Sequence, residues 1–172
     1  MRTVATFLPL LIAVRLRYPT EPEPYLAAVR YCELFAFRVY RLGERRSNTG
    51  QSTIFWRANQ LHEGKVDFGT MLQNLYGTLR YYRSDSDFKA DLMKTHDWYR
   101  WGGLRYFLYE YEEYLAGRAA VKISWEEVET RDLDKTVEHI LPQTPTAKYW
   151  QRRFDPVEIE KYTHDLGNLC LT

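Results

Sequence analysis

The sequence predicts a mainly α protein that closes in a small α+β unit. Three observations carry this. Apolar residues recur at helical spacing through most of residues 3–117. Pro19, Gly43 and Gly117 close three of those runs, although Pro9, Gly69 and Gly77 lie inside others. After Gly117 the pattern changes to short β-branched stretches separated by turn residues. The expected division is a helical body over residues 1–118 and a second unit over residues 119–172.

The first helix is expected over residues 3–17, with Phe7, Leu8, Leu11 and Ile12 at core spacing and Tyr18-Pro19 as its stop. Its apolar run superficially resembles a signal peptide. However, Arg15 and Arg17 follow at once, no small-residue cleavage site is seen, and the run is too short to span a bilayer. A second helix is expected over residues 25–42, with Ala28, Val29, Cys32, Phe35 and Val39 inward and Gly43 as a C′ glycine. A short helix fits residues 53–62. Residues 67–82 carry a clear stripe of Phe68, Met71, Leu72, Leu75, Leu79 and Tyr82. Ser84-Asp85-Ser86-Asp87 forms a cap before residues 88–95, and Trp101-Gly102-Gly103 breaks the chain before a helix over residues 104–115.

Beyond Gly117, Val121, Ile123 and Trp125 alternate with Lys122 and Ser124, which predicts a strand. Residues 136–140 and 168–171 are the other strands. Asp155-Pro156 opens a short helix between them, as an N-cap followed by proline at N1.

Composition narrows the functional classes. A chain of 172 residues can bury a real core. With 45% hydrophobic residues it is not disordered. A net charge of +1 gives no global basic field, so any nucleic-acid role must rest on local patches or on a partner domain that holds the DNA. Cys32 and Cys170 have no metal-type spacing and build no disulfide framework, which fits a reducing cytoplasm.

Two motifs near the end carry the chemistry: Glu138-His139-Ile140-Leu141-Pro142-Gln143 and His164-Asp165-Leu166-Gly167-Asn168-Leu169. A carboxylate is a hard oxygen ligand suited to Mg²⁺ or Mn²⁺. A neutral imidazole can take a proton from water near neutral pH. A strand sends Glu138 and His139 to opposite faces unless it ends or bulges there, and Pro142 can supply that end. Taken singly, each motif is weak. Glu-His pairs are common on surfaces, and Gly-Asn is an ordinary turn dipeptide.

Together the motifs resemble the HNH (ββα-metal) nuclease domain of GmrSD-type, modification-dependent restriction endonucleases. The likeness is sharp over residues 136–172 and diffuse upstream, where Leu104–Glu112 is similar to the stretch preceding the nuclease motif. The resemblance implies a partial ββα-metal (HNH/His-Me finger) motif in which Glu138 binds a divalent metal, Mg²⁺ or Mn²⁺. It makes His139 the general base and gives Asn168 the task of holding the loop and orienting that histidine. His164 is a possible auxiliary. The family's second metal ligand, on a helix after the Gly-Asn-Leu strand, has no counterpart up to Thr172. The unit is therefore expected to be incomplete at its C-terminal end, to bind metal weakly and to be inactive as a nuclease alone.

The implied function is a metal-dependent endonuclease in restriction or antiphage defence, acting on modified or foreign double-stranded DNA in the cytoplasm, without a membrane partner. The family's N-terminal nucleotide-hydrolysing recognition domain is expected on a domain or subunit outside these residues, since no Gly-rich phosphate loop or Asp-Gly-Gln-Gln-Arg-type motif occurs. Lys148, Arg152 and Arg153 are the first candidates for phosphate contacts. Arg80-Tyr81-Tyr82-Arg83, Trp98-Tyr99-Arg100-Trp101 and Arg105-Tyr106 are weaker ones, because such mixtures also make core edges. Two other readings fit the same residues. One is an inactive truncated relative that serves as a helical protein-binding or DNA-binding module. The other is a generic helical module in which the motif is accidental.

Overall fold

The computed structural model describes residues 4–94, 96–117 and 123–172. Helices dominate, and the β-structure is one two-stranded antiparallel sheet. The chain divides into two compact units, Met1–Leu92 and Met93–Thr172. Among the described residues no helix is long and apolar enough to cross a membrane.

The first unit is a helical cluster of α1 (Val4–Arg17), α2 (Pro22–Phe35), α3 (Gln51–His62), α4 (Phe68–Tyr82) and α5 (Asp85–Leu92). α1 packs chiefly on α3, and α2 and α4 close the core around Leu10, Tyr31, Phe35, Ile54, Met71 and Leu75. Leu8 and Ile12, expected in the core, are 45% and 55% exposed, while Phe7, Leu10 and Val14 point inward. α1 is apolar almost all round, so its sequence could not select a face. α4 is different: its clear stripe buries Met71, Leu75 and Leu79 as expected, and Asp67 caps it by accepting the Thr70 N–H at 2.9 Å.

α2 runs on as a π-helical stretch, Ala36–Leu42. Gly43 ends it, but not through a left-handed backbone. Its φ is −78°, and the positive φ of 51° falls on Glu44. A side chain at Gly43 would meet the Arg38 and Val39 carbonyl oxygens at 2.9 Å, so glycine is needed for close approach, not for conformation.

The second unit opens with a 3₁₀ turn, Trp98–Arg100, followed by α6 (Leu104–Ala116), which Gly117 ends at φ 59°. Then come α7 (Trp125–Thr130), β1 (Val137–His139), α8 (Lys148–Arg153), α9 (Pro156–Tyr162) and β2 (Leu169–Leu171). The strand expected around Trp125 is overturned: Trp125 is the first residue of α7. Ser124 and Glu127 form a capping box, with each side chain accepting the other's backbone N–H. That four-residue signal outweighs a short alternation. Val121 and Lys122 lie outside the described residues. The Asp155-Pro156 helix start is as expected and is strengthened by a second capping box with Glu158.

Candidate active site

β1 and β2 pair antiparallel with Val137 opposite Leu171, Glu138 opposite Cys170, and His139 opposite Leu169. Val137 and Leu169 are buried on one face, which fixes the register, since a one-residue slip would turn both to the other side. The ladder is extended at both ends. Thr172 N–H donates to the Thr136 carbonyl at 3.1 Å, and Ile140 N–H donates to the Asn168 carbonyl at 2.9 Å.

Asn168 then takes over from the ladder. Its carboxamide oxygen accepts the Leu141 N–H at 2.6 Å, and its amide nitrogen donates to the carbonyls of Leu141 at 3.0 Å and Thr163 at 2.8 Å. The side chain is buried, and both its polar atoms are satisfied by backbone. It thus ties the turn after His139 to the end of α9. Asp165 prepares this position by accepting the Gly167 N–H at 3.0 Å, so Asn168 enters β2 from a 3₁₀ turn.

His139 is the last residue of β1 and is half-buried. Its Nε2 lies 3.1 Å from Nδ1 of His164, and its Nδ1 lies 3.3 Å from the amide nitrogen of the exposed Gln143. The Tyr99 ring packs against both imidazoles, with centroids 4.6 Å from His139 and 5.7 Å from His164. The turn carrying Tyr99 is attached directly to this region, because Trp98 N–H donates to the His164 carbonyl at 3.0 Å. Burial pushes the His139 imidazole below the usual histidine range, and His164 adds to the effect while Asp97 opposes it. His139 is therefore neutral at neutral pH, able to accept a proton.

Glu138 does not join this cluster. The strand stays regular through His139, and its burial alternates from Val137 (buried) to Glu138 (exposed) to His139 (half-buried). Glu138 shares its face with Cys170. Burial, Glu138 and Glu112 all raise the Cys170 thiol. Among the described residues, no group of three or more His, Cys, Asp or Glu side chains could hold a metal ion. Glu138 thus fits one position of a hard-cation shell and no more.

Lys148, Arg152 and Arg153 lie exposed on α8, and no ion pair engages them among the described residues. Arg153 also covers the Tyr149 ring at 4.7 Å. Some of the weaker basic candidates are spent internally, while Arg80, Tyr81 and Arg100 remain exposed. Arg83 pairs with Asp91, Arg105 donates to the carbonyls of Val128 and Arg131, and Trp98 is buried. His96 packs edge-on against Trp98 at 5.1 Å, in keeping with a structural role.

Sequence reasoning missed Asp97 and Gln143, and it weighed Tyr99 as a weaker DNA contact rather than as a neighbour of the two histidines. Gln143 stands in the quoted motif and could have been weighed as a donor. Tyr99 lies forty positions upstream of His139, and nothing local in the sequence links the two.

Comparison with known proteins gives a family match. The family model described as "GmrSD restriction endonucleases, C-terminal domain" matches residues 82–172. No curated protein and no solved structure matches. The matched segment is more than half of the chain and contains the β1–β2 ladder, both histidines and Asn168. The chain therefore belongs to the family of GmrSD restriction endonuclease C-terminal domains.

Proposed function

We propose that this chain is the nuclease part of a restriction endonuclease of the HNH kind, hydrolysing phosphodiesters in modified or foreign double-stranded DNA. In this reading His139 is the general base, Glu138 is one ligand of a divalent cation, and Asn168 is the brace of the His139 strand end. The observation that carries it is the Asn168 side chain closing both main-chain groups of Leu141, directly beyond a neutral, half-buried His139.

The chemistry needs an attacking water and a phosphate. His139 takes a proton from the water, whose oxygen forms the new bond to phosphorus. The P–O bond to the departing sugar oxygen breaks, and that oxygen takes a proton from solvent. Mg²⁺ or Mn²⁺, when bound, would neutralise charge on the phosphoryl oxygens. Glu138 and His139 are consecutive, with Cα atoms about 3.8 Å apart. The pleat sends their side chains to opposite faces, so a phosphate would have to lie across the edge of β1 to meet both. The remaining ligands would come from outside the described residues. Lys148, Arg152 and Arg153 would meet the DNA backbone as charge partners without sequence preference. A nucleotide-hydrolysing recognition domain or subunit would license the cut.

The test is cleavage of plasmid DNA by the protein as its gene encodes it, with Mn²⁺ or Mg²⁺ and with chelator. Metal-dependent cleavage that is lost in His139→Ala supports the reading. Cleavage insensitive to that substitution refutes it.

A further inference from the structure

We infer that His164 is a positioning residue for the proposed base: its Nδ1 accepts the hydrogen on His139 Nε2, leaving His139 Nδ1 as the nitrogen that takes the proton from water. The inference rests on His139 being the base and adds what decides which of its two nitrogens acts.

Three observations carry it. First, the two ring nitrogens are 3.1 Å apart, a hydrogen-bond distance. Such a bond needs one donor and one acceptor. If His164 donated, His139 would have to carry its own hydrogen on Nδ1. Both its nitrogens would then be occupied, and no lone pair would remain for water. Only the opposite order leaves a base.

Second, the opposite order satisfies the third partner. The Gln143 amide nitrogen lies 3.3 Å from His139 Nδ1 and can donate to it, an arrangement in which Nδ1 accepts and Nε2 holds the hydrogen. Gln143 is exposed, so water can replace it at Nδ1. His164 is half-buried against β1 and does not yield its place as readily.

Third, His164 is held where it is. Its carbonyl accepts from Trp98 N–H at 3.0 Å, and the carbonyl of the preceding Thr163 accepts from the buried Asn168 amide at 2.8 Å. Tyr99 fills the angle between the two imidazoles, nearly parallel to His164 (25°) and tilted 46° to His139. A surface histidine present by chance would not be fixed from its backbone, from its neighbour's backbone and from its ring face at once. Asn168 thereby braces both histidines: the His139 strand end through Leu141, and the His164 turn through Thr163.

The experiment compares His164→Ala, His164→Asn and His139→Ala in the protein as its gene encodes it, by single-turnover cleavage of supercoiled plasmid with Mn²⁺. A second measurement reads the ¹⁵N–¹⁵N coupling across the hydrogen bond from His139 Nε2 to His164 Nδ1 by NMR. Loss of an orienting partner typically costs roughly 10–100-fold. His164→Ala should slow the cleavage step by that factor with DNA affinity unchanged. His164→Asn, whose carboxamide oxygen sits near the Nδ1 position, should recover to within a few-fold of wild type. The coupling should be seen in the wild-type protein.

His164→Ala cutting at the wild-type rate, or His164→Asn as slow as His164→Ala, overturns the inference. So does a missing coupling, which needs no activity and no variant that folds. If His139→Ala is dead while His164→Ala is fully active, this inference falls and the nuclease reading stands. If His139→Ala cuts normally, both fall.

Discussion

Asn168 closes both main-chain groups of Leu141 at once, accepting its N–H at 2.6 Å and donating to its carbonyl at 3.0 Å. A third bond, to the Thr163 carbonyl, ties the same amide to the end of α9. The conformation of the chain immediately after His139 thus depends on one buried side chain.

Replacing Asn168 with Ala should destabilise the second unit by about 2–4 kcal/mol, since each buried hydrogen bond contributes roughly 1 kcal/mol and its partners are left unpaired. Asn168→Asp should be no milder. It keeps the acceptor but loses the donor to two carbonyls and buries a charge. Urea denaturation followed by tryptophan fluorescence, with Trp98, Trp101, Trp125 and Trp150 all in this unit, would measure the loss. An unchanged midpoint for both variants would remove Asn168 from its bracing role.

Stability should depend on pH through His139. Its folded-state affinity for a proton lies below the usual 6.5, mainly through burial. Protonation therefore favours the unfolded chain. This contribution is fully present above about 6.5 and is lost as the pH falls through the lowered folded value. Denaturation midpoints at pH 7.5 and pH 5 should differ less in His139→Gln than in wild type. An equal pH dependence in both would assign it elsewhere.

The basic face of α8 should act through charge alone. Each phosphate contact adds roughly 0.9 to the slope of log affinity against log salt. Replacing Lys148, Arg152 and Arg153 together with Ala should therefore flatten that slope by up to about 3 and weaken binding evenly across DNA sequences. A slope identical to wild type would show that DNA is held elsewhere.

Much of this was legible in the sequence, for identifiable reasons. α4 could be read because its stripe contrasts with polar neighbours, and α9 because Asp155-Pro156 fixes its start. The pairing of β1 with β2 followed from two short motifs that each say little alone. α1 could not be oriented, because a helix apolar on every side offers no face. The strand expected at Trp125 yielded to a capping box whose two ends, Ser124 and Glu127, must be read together. Within the site, Glu138, His139 and Asn168 stood out because their types match a chemistry. Tyr99 did not, because its importance comes from a turn bonded to the His164 carbonyl, a tertiary fact with no local pattern.

The 172 residues by themselves should bind Mn²⁺ weakly and nick DNA little or not at all. A single exposed carboxylate leaves the coordination geometry of a hard cation unfixed. Calorimetric titration with Mn²⁺ should show no tight site. Tight binding that disappears in Glu138→Ala would show that a second ligand lies within these residues.

The most direct measurement is metal-dependent cleavage of plasmid DNA by the protein as its gene encodes it, wild type beside His139→Ala. Loss of a general base typically costs 10²–10⁴-fold. The account predicts a loss of at least that order in His139→Ala, with circular dichroism and thermal unfolding close to wild type. A folded His139→Ala protein that cuts at the wild-type rate would contradict it.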